Sequence, residues 1–173
     1  MTTQQTTELL RFTGVRVQVT TTLRFEDVLT RLRHDVGSAT NPELMAVAKQ
    51  SRTPEEFARQ VNERVGPSGF VLFFEIDHGS WIGKFGIQRK ALRWILGNPL
   101  IAITMIHHDI QAGLFVPVEL YVVEQDGNAG TIVSYVTPSS LIATSDNREL
   151  RAAAEALDHK LEALVLKVTG GET

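Results

Sequence analysis

Residues 115–137 read FVPVELYVVEQDGNAGTIVSYVT, a stretch with the pattern of a β-hairpin. Two runs rich in β-branched and aromatic residues, 115–124 and 131–137, flank a short segment that begins Asp126-Gly127. Aspartate, asparagine and glycine favour tight turns because they tolerate backbone conformations that other residues avoid. The stretch therefore predicts two antiparallel strands, with an antiparallel sheet at the centre of the fold.

Three further strands are predicted towards the N-terminus. Residues 14–23 alternate between valine and polar side chains, as a half-buried strand does. Residues 70–77 and 90–96 are short apolar runs, which are typical of buried strands. Residues 100–107 are predicted as a short buried helix, although a run of this length fits a strand equally well.

Two amphipathic helices frame these strands. Residues 25–36 carry apolar side chains at helical spacing and end at Gly37, a common C-cap residue. The last helix is predicted to begin at Asp146, with Glu149 three residues later as in a capping box. Apolar residues then recur in alternating steps of four and three along 150–168, which is coiled-coil spacing. This apolar seam either packs on the protein's own sheet or pairs with a partner.

The order of elements predicts an α+β fold, an antiparallel β-sheet with helices mainly on one face. We expect a flexible N-terminal tail over residues 1–13 and a single domain over 14–168. Within that domain, residues 38–66 are predicted to be a small helical insertion, because Asn-Pro and Thr-Pro pairs there mark two helix starts. If this insertion caps the sheet, Phe57 and Val61 face inward.

The composition excludes several classes of protein. The chain has 173 residues, of which 43% are hydrophobic and 21% charged, as in soluble globular domains. Its net charge of −3 argues against a nucleic-acid partner, and its lack of cysteine excludes disulfides and thiolate chemistry. Residues 1–10 lack the features of a signal peptide, and the most apolar stretch, 94–106, is shorter than the ~20 residues of a membrane span. We therefore expect a cytoplasmic protein with no membrane partner.

The sequence predicts no cofactor and no metal. The glycine-containing segments 83–86 and 97–99 match neither a phosphate-binding loop nor a dinucleotide fingerprint. His107 and His108 are adjacent, so on a helix they diverge by about 100° and cannot easily reach one ion. A surface or structural role at the end of that helix is the simpler interpretation, since zinc needs three or four converging ligands.

Polar residues on the predicted strands form the candidate site. If the strand faces align, one side of the sheet carries Arg16, Glu75, Arg93, Glu119 and Tyr121 on a partly apolar surface. A carboxylate beside an arginine can have a tuned pKa, so such a face suits a polar ligand or acid/base chemistry. The alternative is an ordinary solvated sheet face with weak cross-strand ion pairs.

His78 and Asn98 complete the candidate site. His78 closes the strand that contains Glu75, and we assign these two residues the catalytic acid and base roles, although strand alternation places them on opposite faces unless the strand bulges. Asn98 precedes a proline between apolar segments and must hydrogen-bond something, so it either pins the turn or contacts a ligand. The predicted ligand-binding residues are Arg93, Asn98, Glu119 and Tyr121. We expect them to line one cavity together with Glu75 and His78, with Asn98 at its edge.

Residues 70–142 contain a series of short motifs in a characteristic order. They are Ile76-Asp77-His78, Gly97-Asn98-Pro99, Met105, Ala112-Gly113-Leu114, Pro117, Asp126-Gly127, and Ser134-Tyr135 with Pro138. Together they resemble the domain-of-unknown-function family 302. The resemblance implies a compact α+β domain of the TATA-binding-protein-like class, often dimeric, and implies no activity. Residues 38–66 have no counterpart in shorter relatives, which agrees with an insertion.

Three functions fit these observations. The first is a small-molecule-binding domain that acts as a homodimer. The second is an acid/base enzyme of the isomerase or cyclase type that uses Glu75 or His78 on a mostly apolar substrate. The third is a protein-interaction module that docks through residues 38–66 or through the apolar seam. A buried cavity between residues 38–66 and the sheet favours the first two, and a flat, filled core favours the third.

Overall fold

A six-stranded sheet forms the centre of the structure, a computed structural model that describes residues 4–171. The strand order is β1-β6-β5-β4-β3-β2, and all neighbours are antiparallel except β2 and β3, which are parallel. The strands are β1 Arg16–Thr21, β2 Gly37–Ser38, β3 Val71–Asp77, β4 Ala91–Gly97, β5 Val118–Glu124 and β6 Thr131–Val136. The predicted α+β fold is confirmed, and the predicted hairpin is the β5–β6 pair.

The described residues contain seven α-helices, five between strands and two after β6. They are α1 Phe25–Asp35, α2 Asn41–Gln50, α3 Pro54–Asn62, α4 Gly79–Ile82, α5 Pro99–Ile106, α6 Pro138–Ile142 and α7 Arg148–Thr169. The ambiguous run at 100–107 is thus a helix, because Asn98 and Pro99 provide its cap and first turn. None of the described helices is both long and apolar enough to cross a membrane.

The core lies between one face of the sheet and helices α1, α5 and α7. Trp94, Leu120 and Val133 point from the central strands into this layer and are fully buried. The apolar seam is formed by Leu150, Ala154, Leu157, Leu161, Leu164 and Val168, and all six are buried in the same core. The seam therefore packs on the protein's own sheet, and pairing of this seam with a partner is ruled out. The helix is capped by the Asn147 side chain and not by Asp146 as predicted.

Some elements were not predicted from the sequence. Helix α6, the two-residue strand β2 and the 3-10 segment Ile110–Phe115 are each too short to show a periodic pattern. Residues 4–15 have no regular secondary structure, but the Phe12 ring packs edge-on against Phe115, with 5.6 Å between the ring centroids.

Residues 38–66 contain α2 and α3, as the two helix starts predicted. Thr40, rather than Asn41, is the first cap, and it forms a capping box with Glu43. Val61 is buried and Phe57 half-buried. The segment has its own small apolar cluster, which consists of Ala39, Leu44 and Val71 with Val65 and Phe73 packed against them. That it is an insertion relative to other proteins remains a prediction.

Candidate functional site

The sheet has one uncovered side, which we call the open face. Outward positions on β3–β6 include Phe74, Ile76, Tyr121 and Val136, each between 38% and 52% exposed. Arg93 pairs across the strands with Tyr121, and Tyr121 with Ser134, so these side chains form a row across the open face. Directly paired residues in a sheet point to the same side.

Arg93 and Glu119 form an ion pair on the open face. The Arg93 Nε atom donates a hydrogen bond to Glu119 Oε2 at 3.0 Å, and its Nη2 atom donates to Oε1. Both side chains remain more than two-fifths exposed. An ion pair this exposed contributes about 0–1 kcal/mol to stability.

His78 lies on the same side, beside Tyr121. The centroids of the two rings are 5.8 Å apart in an edge-on arrangement, and the centroids of the His78 and Trp81 rings are 5.9 Å apart. The Trp81 ring centroid lies 6.2 Å from that of Phe85, and Phe85 is 75% exposed. We call His78, Trp81, Phe85 and Tyr121 the aromatic cluster.

Glu75 lies on the opposite side of the sheet, so the expectation that it shares a face with Arg93, Glu119 and Tyr121 is wrong. It pairs with Trp94, whose side chain points into the core, and it accepts a hydrogen bond from the Trp94 Nε1 atom at 2.7 Å. Its carboxylate also accepts a bond from Arg33 of α1 at 3.1 Å.

A β-bulge explains the error. The register of β3 against β4 shifts between Leu72 and Phe74, so Leu72 pairs with Leu96 and Phe74 pairs with Ile95. An extra residue reverses the alternation of all side chains that follow it. Because the run FVLFFEID is apolar on both sides before Glu75, the sequence gives no sign of where this reversal occurs.

The two predicted catalytic residues, Glu75 and His78, are therefore separated by the sheet. Glu75 borders a charged cleft of about 310 Å³ that is lined by Arg33, Asp77, Arg89 and Lys90, among others. The charged groups of this cleft already have partners. Glu75 pairs with Arg33, and Lys90 pairs with Glu124 beside the cleft. Arg89 donates to the Glu124 carbonyl, and Asp77 accepts from the Ser80 backbone nitrogen. Such a cleft does not match the mostly apolar substrate expected for an acid/base enzyme.

An apolar cavity of about 230 Å³ lies at the other end of β3 and β4. Its wall is built by Phe70, Phe73, Gly97, Asn98, Pro99, Ile101, Ala102, Met105, Ile106, Gly113, Val116, Pro117, Val118 and Leu157. The part of the chain that the structure describes contributes no charged side chain to this wall. No residue of 38–66 lines it either, so the cavity does not lie between that segment and the sheet.

Of the six predicted site residues, Asn98 alone lines this cavity, so the expectation that the six share one cavity is wrong. The Asn98 Oδ1 atom accepts a hydrogen bond from the Leu100 backbone nitrogen at 2.8 Å, and its Nδ2 atom donates to the Gly69 carbonyl at 2.9 Å. Asn98 therefore pins the turn between β4 and α5. One amide hydrogen remains for a ligand, since the primary amide has two.

Gly97 shows how tightly the cavity wall is packed. A Cβ atom on Gly97 would lie 3.0 Å from the Phe73 ring and 3.1 Å from Pro117 Cβ, so a side chain there would push the wall inward. The sequence singles out the Gly97-Asn98-Pro99 turn, but not the apolar residues beside it. These look like ordinary core residues, because a cavity leaves no mark on hydrophobic periodicity.

The histidines lie at separate places in the fold. His107 and His108 follow α5 with exposed rings 5.5 Å apart. Within residues 4–171, no three His, Asp or Glu side chains are arranged to hold a metal ion.

The fold defines an α+β protein with one predominantly antiparallel sheet, covered on one face by helices, and with a cavity at the sheet's end. The family model described as Domain of unknown function DUF302 matches residues 45–168, and the chain belongs to this family. The resemblance drawn from the motifs along 70–142 is thereby confirmed.

A solved structure has the same fold. The crystal structure of an uncharacterised conserved DUF302 protein from Bacillus stearothermophilus superimposes with a TM-score of 0.61 at 15% sequence identity. The alignment covers 88% of this chain and 97% of that chain. No curated protein shows a significant match to the sequence.

Proposed function

We propose that this protein binds a small, uncharged and mostly apolar molecule in the cavity at the end of β3 and β4, and that it does so as a homodimer. The observation that carries the binding proposal is the cavity itself, an apolar space of about 230 Å³ that opens between the sheet end and α5. Ligand sites are typically concave and mostly apolar, with few polar groups, as this cavity is. An apolar cavity within reach of solvent is a binding site for apolar molecules.

The size and chemistry of the wall define the ligand class. Pockets for drug-sized ligands range over roughly 300–1,000 Å³, so this cavity takes a smaller molecule, of one or two rings or a short branched chain. Phe73 and Met105 supply aromatic and thioether contacts, which adapt to flat apolar groups. Because the wall lacks a cation, a carboxylate ligand would lose its hydration without compensation.

The acid/base alternative has less support. The Glu75 carboxylate and the His78 imidazole lie on opposite sides of the sheet, and neither residue lines the cavity. The spare amide hydrogen of Asn98 is the remaining polar group of the predicted site that can reach a cavity ligand. Binding is therefore better supported than proton transfer.

A filled-cavity variant tests the proposal. Naphthalene is the probe, and its binding is measured by saturation-transfer NMR and by titration of the protein's amide spectrum. Ala102 is half-buried and lines the cavity, so Ala102→Phe occupies the space. Ile103 is the next residue of α5 and is 53% exposed, so Ile103→Phe is the matched control.

We expect naphthalene to bind the wild type and Ile103→Phe with equal affinity, and to bind Ala102→Phe at least about tenfold more weakly. Equal binding to all three proteins, or no binding to the wild type, would overturn the proposal. Naphthoate serves as the charged comparison and is expected to bind more weakly than naphthalene, because the wall offers it no cation.

The homodimer proposal is supported by the exposed apolar side chains of the open face. Light scattering at tens of micromolar is expected to give about twice the chain mass of 19.2 kDa. A strict monomer under these conditions contradicts the proposal.

A further inference from the structure

The open face differs from an ordinary solvated sheet face. An antiparallel sheet with one face in water usually alternates polar side chains outward. Here several outward positions are apolar, namely Phe74, Ile76, Ile95, Val123, Ile132 and Val136. The aromatic cluster continues this apolar surface beyond the end of β3.

On β3–β6 the composition of the open face matches that of protein interfaces, whereas the outward positions of β1, Arg16, Gln18 and Thr20, are polar. Aromatic residues and arginine are enriched at such interfaces, whereas lysine and acidic residues are depleted. The open-face positions of β1 and β3–β6 include Arg16, Arg93 and Tyr121, contain no lysine in the described strands, and contain the single acidic residue Glu119. A solvated face would carry more ionised side chains.

The charges on this face are self-complementary. Arg93 and Glu119 lie side by side on the neighbouring strands β4 and β5, one cation and one anion, in the middle of the apolar surface. A twofold axis between them would bring Arg93 of one copy opposite Glu119 of the other copy, and the reverse at the same time. This is the geometry that an isologous dimer requires.

We infer that the open face is the interface of a homodimer, in which the Arg93–Glu119 ion pairs of the two copies lie against each other, so that each Arg93 also contacts Glu119 of the other copy, and the aromatic cluster forms the outer part of the contact. This inference rests on the homodimer of the proposed function and assigns its surface. The occupant is a second copy of this chain, since the face supplies both members of the charge pair. The cavity opens elsewhere, so its wall shares none of the named interface residues.

Two complementary charge reversals test the interface. Arg93→Glu leaves two acidic groups at the centre of the face, and Glu119→Arg leaves two basic groups. Two molecules of the same variant bring like charges together at the interface and repel each other. An equimolar mixture of the two variants places the acidic face of one opposite the basic face of the other. The matched controls are Lys160→Glu and Glu162→Arg, reversals at exposed positions of α7.

We expect wild type and both α7 variants to be dimers by light scattering, and each open-face variant to have a dimer Kd raised by at least about tenfold, since like charges in contact repel. The mixture is expected to recover the dimer mass, and native mass spectrometry should show one copy of each variant. This recovery also shows that both variants are folded.

Two results overturn the inference. If the wild type is a dimer and the open-face variants remain dimers, the dimer stands but its surface lies elsewhere. If the variants dissociate but their mixture stays monomeric, Arg93 and Glu119 do not pair between copies. A monomeric wild type overturns both the inference and the homodimer proposal.

Discussion

Glu75 and Glu119 show how one residue type takes different roles on the two sides of a sheet. Glu75 satisfies the indole N–H of Trp94, whose ring is buried in the core, and also binds Arg33. Glu119 forms an exposed ion pair with Arg93. A buried donor that loses its partner costs far more than an exposed ion pair.

We expect Glu75→Ala to lower the free energy of unfolding by about 1–3 kcal/mol, because the Trp94 indole loses its acceptor. Glu63→Ala, which removes an exposed ion pair with Arg59, is the control and should change it by about 1 kcal/mol or less. Urea denaturation measures both values. Equal effects of the two substitutions would contradict the placement of Glu75 in the helical layer.

Asp35 is a buried carboxylate that joins α1 to α7. Its two oxygens lie 2.9 and 2.7 Å from the Lys167 Nζ atom, and the His34 Nδ1 atom lies 3.1 Å away. Burial raises the pKa of Asp35, but the hydrogen bonds from Lys167 and His34 outweigh it, so the pKa lies below the usual aspartate range. The ionised carboxylate is thus bound more strongly in the folded state.

The lowered pKa of Asp35 predicts a pH dependence. Its contribution to stability is present above the unfolded-state pKa of about 4 and is lost as the pH falls through the lower folded-state value. We expect Asp35→Asn to cost about 1–3 kcal/mol at neutral pH and to lose less stability than the wild type on acidification. Denaturation curves between neutral pH and pH 2 test this, and parallel pH profiles would rule the linkage out.

The segment 38–66 illustrates packing at the scale of elements. Its two ends meet, since the backbone nitrogens of Gly37 and Gly66 both donate to the Phe70 carbonyl, at 2.8 and 3.0 Å. A Cβ atom on Gly37 would collide with the Arg64 carbonyl oxygen, and one on Gly66 with the Asp35 carbonyl oxygen. The chain therefore leaves and re-enters the domain at one point.

This geometry predicts that residues 38–65 can be replaced by a Gly-Ser linker with the sheet retained. The cost is the re-exposure of Val71 and Phe73, about 1.5–3 kcal/mol each, which is within the stability of a typical domain. The amide spectrum should keep the dispersed signals of β4–β6. Global unfolding of the excised variant would show that the segment belongs to the core.

The presence and type of the long elements were predictable from the sequence because periodic patterns are a local property. The alternation along 14–23, the hairpin turn at Asp126-Gly127 and the seam of α7 each mark an element that the structure contains. The relative facing of β3 was not predictable. It depends on one extra residue between Leu72 and Phe74 in a run where every side chain is apolar.

Part of the candidate site was predictable, because the alternation of side chains along a single strand is also a local pattern. Strand alternation groups Arg93 with Ile95 and Glu119 with Tyr121, and the structure places all four on the open face. Asn98 was expected either to pin a turn or to contact a ligand, and it pins the turn at the edge of the cavity. The cavity lies where β3, β4 and α5 meet. No local sequence pattern records how separate elements meet.

At the scale of the whole molecule, the two proposed surfaces are separate. The cavity lies at the end of β3 and β4 beside α5, whereas the open face covers the middle of the sheet. A ligand can therefore enter the cavity of each copy while the open faces are joined. The proposal that depends most on the structure is that the cavity takes a small apolar molecule.

The methionine methyl groups provide the most direct measurement of that claim. The chain has three methionines: Met105 is fully buried in the cavity wall, Met45 is 51% exposed on α2, and the third is Met1. Protein labelled with carbon-13 at these methyls is titrated with naphthalene. We predict a saturating shift of the Met105 methyl signal and cross-relaxation between this methyl and the naphthalene protons, with the Met45 signal unchanged. A Met105 signal that stays unshifted at saturating naphthalene, or shifts no more than that of Met45, would contradict the account.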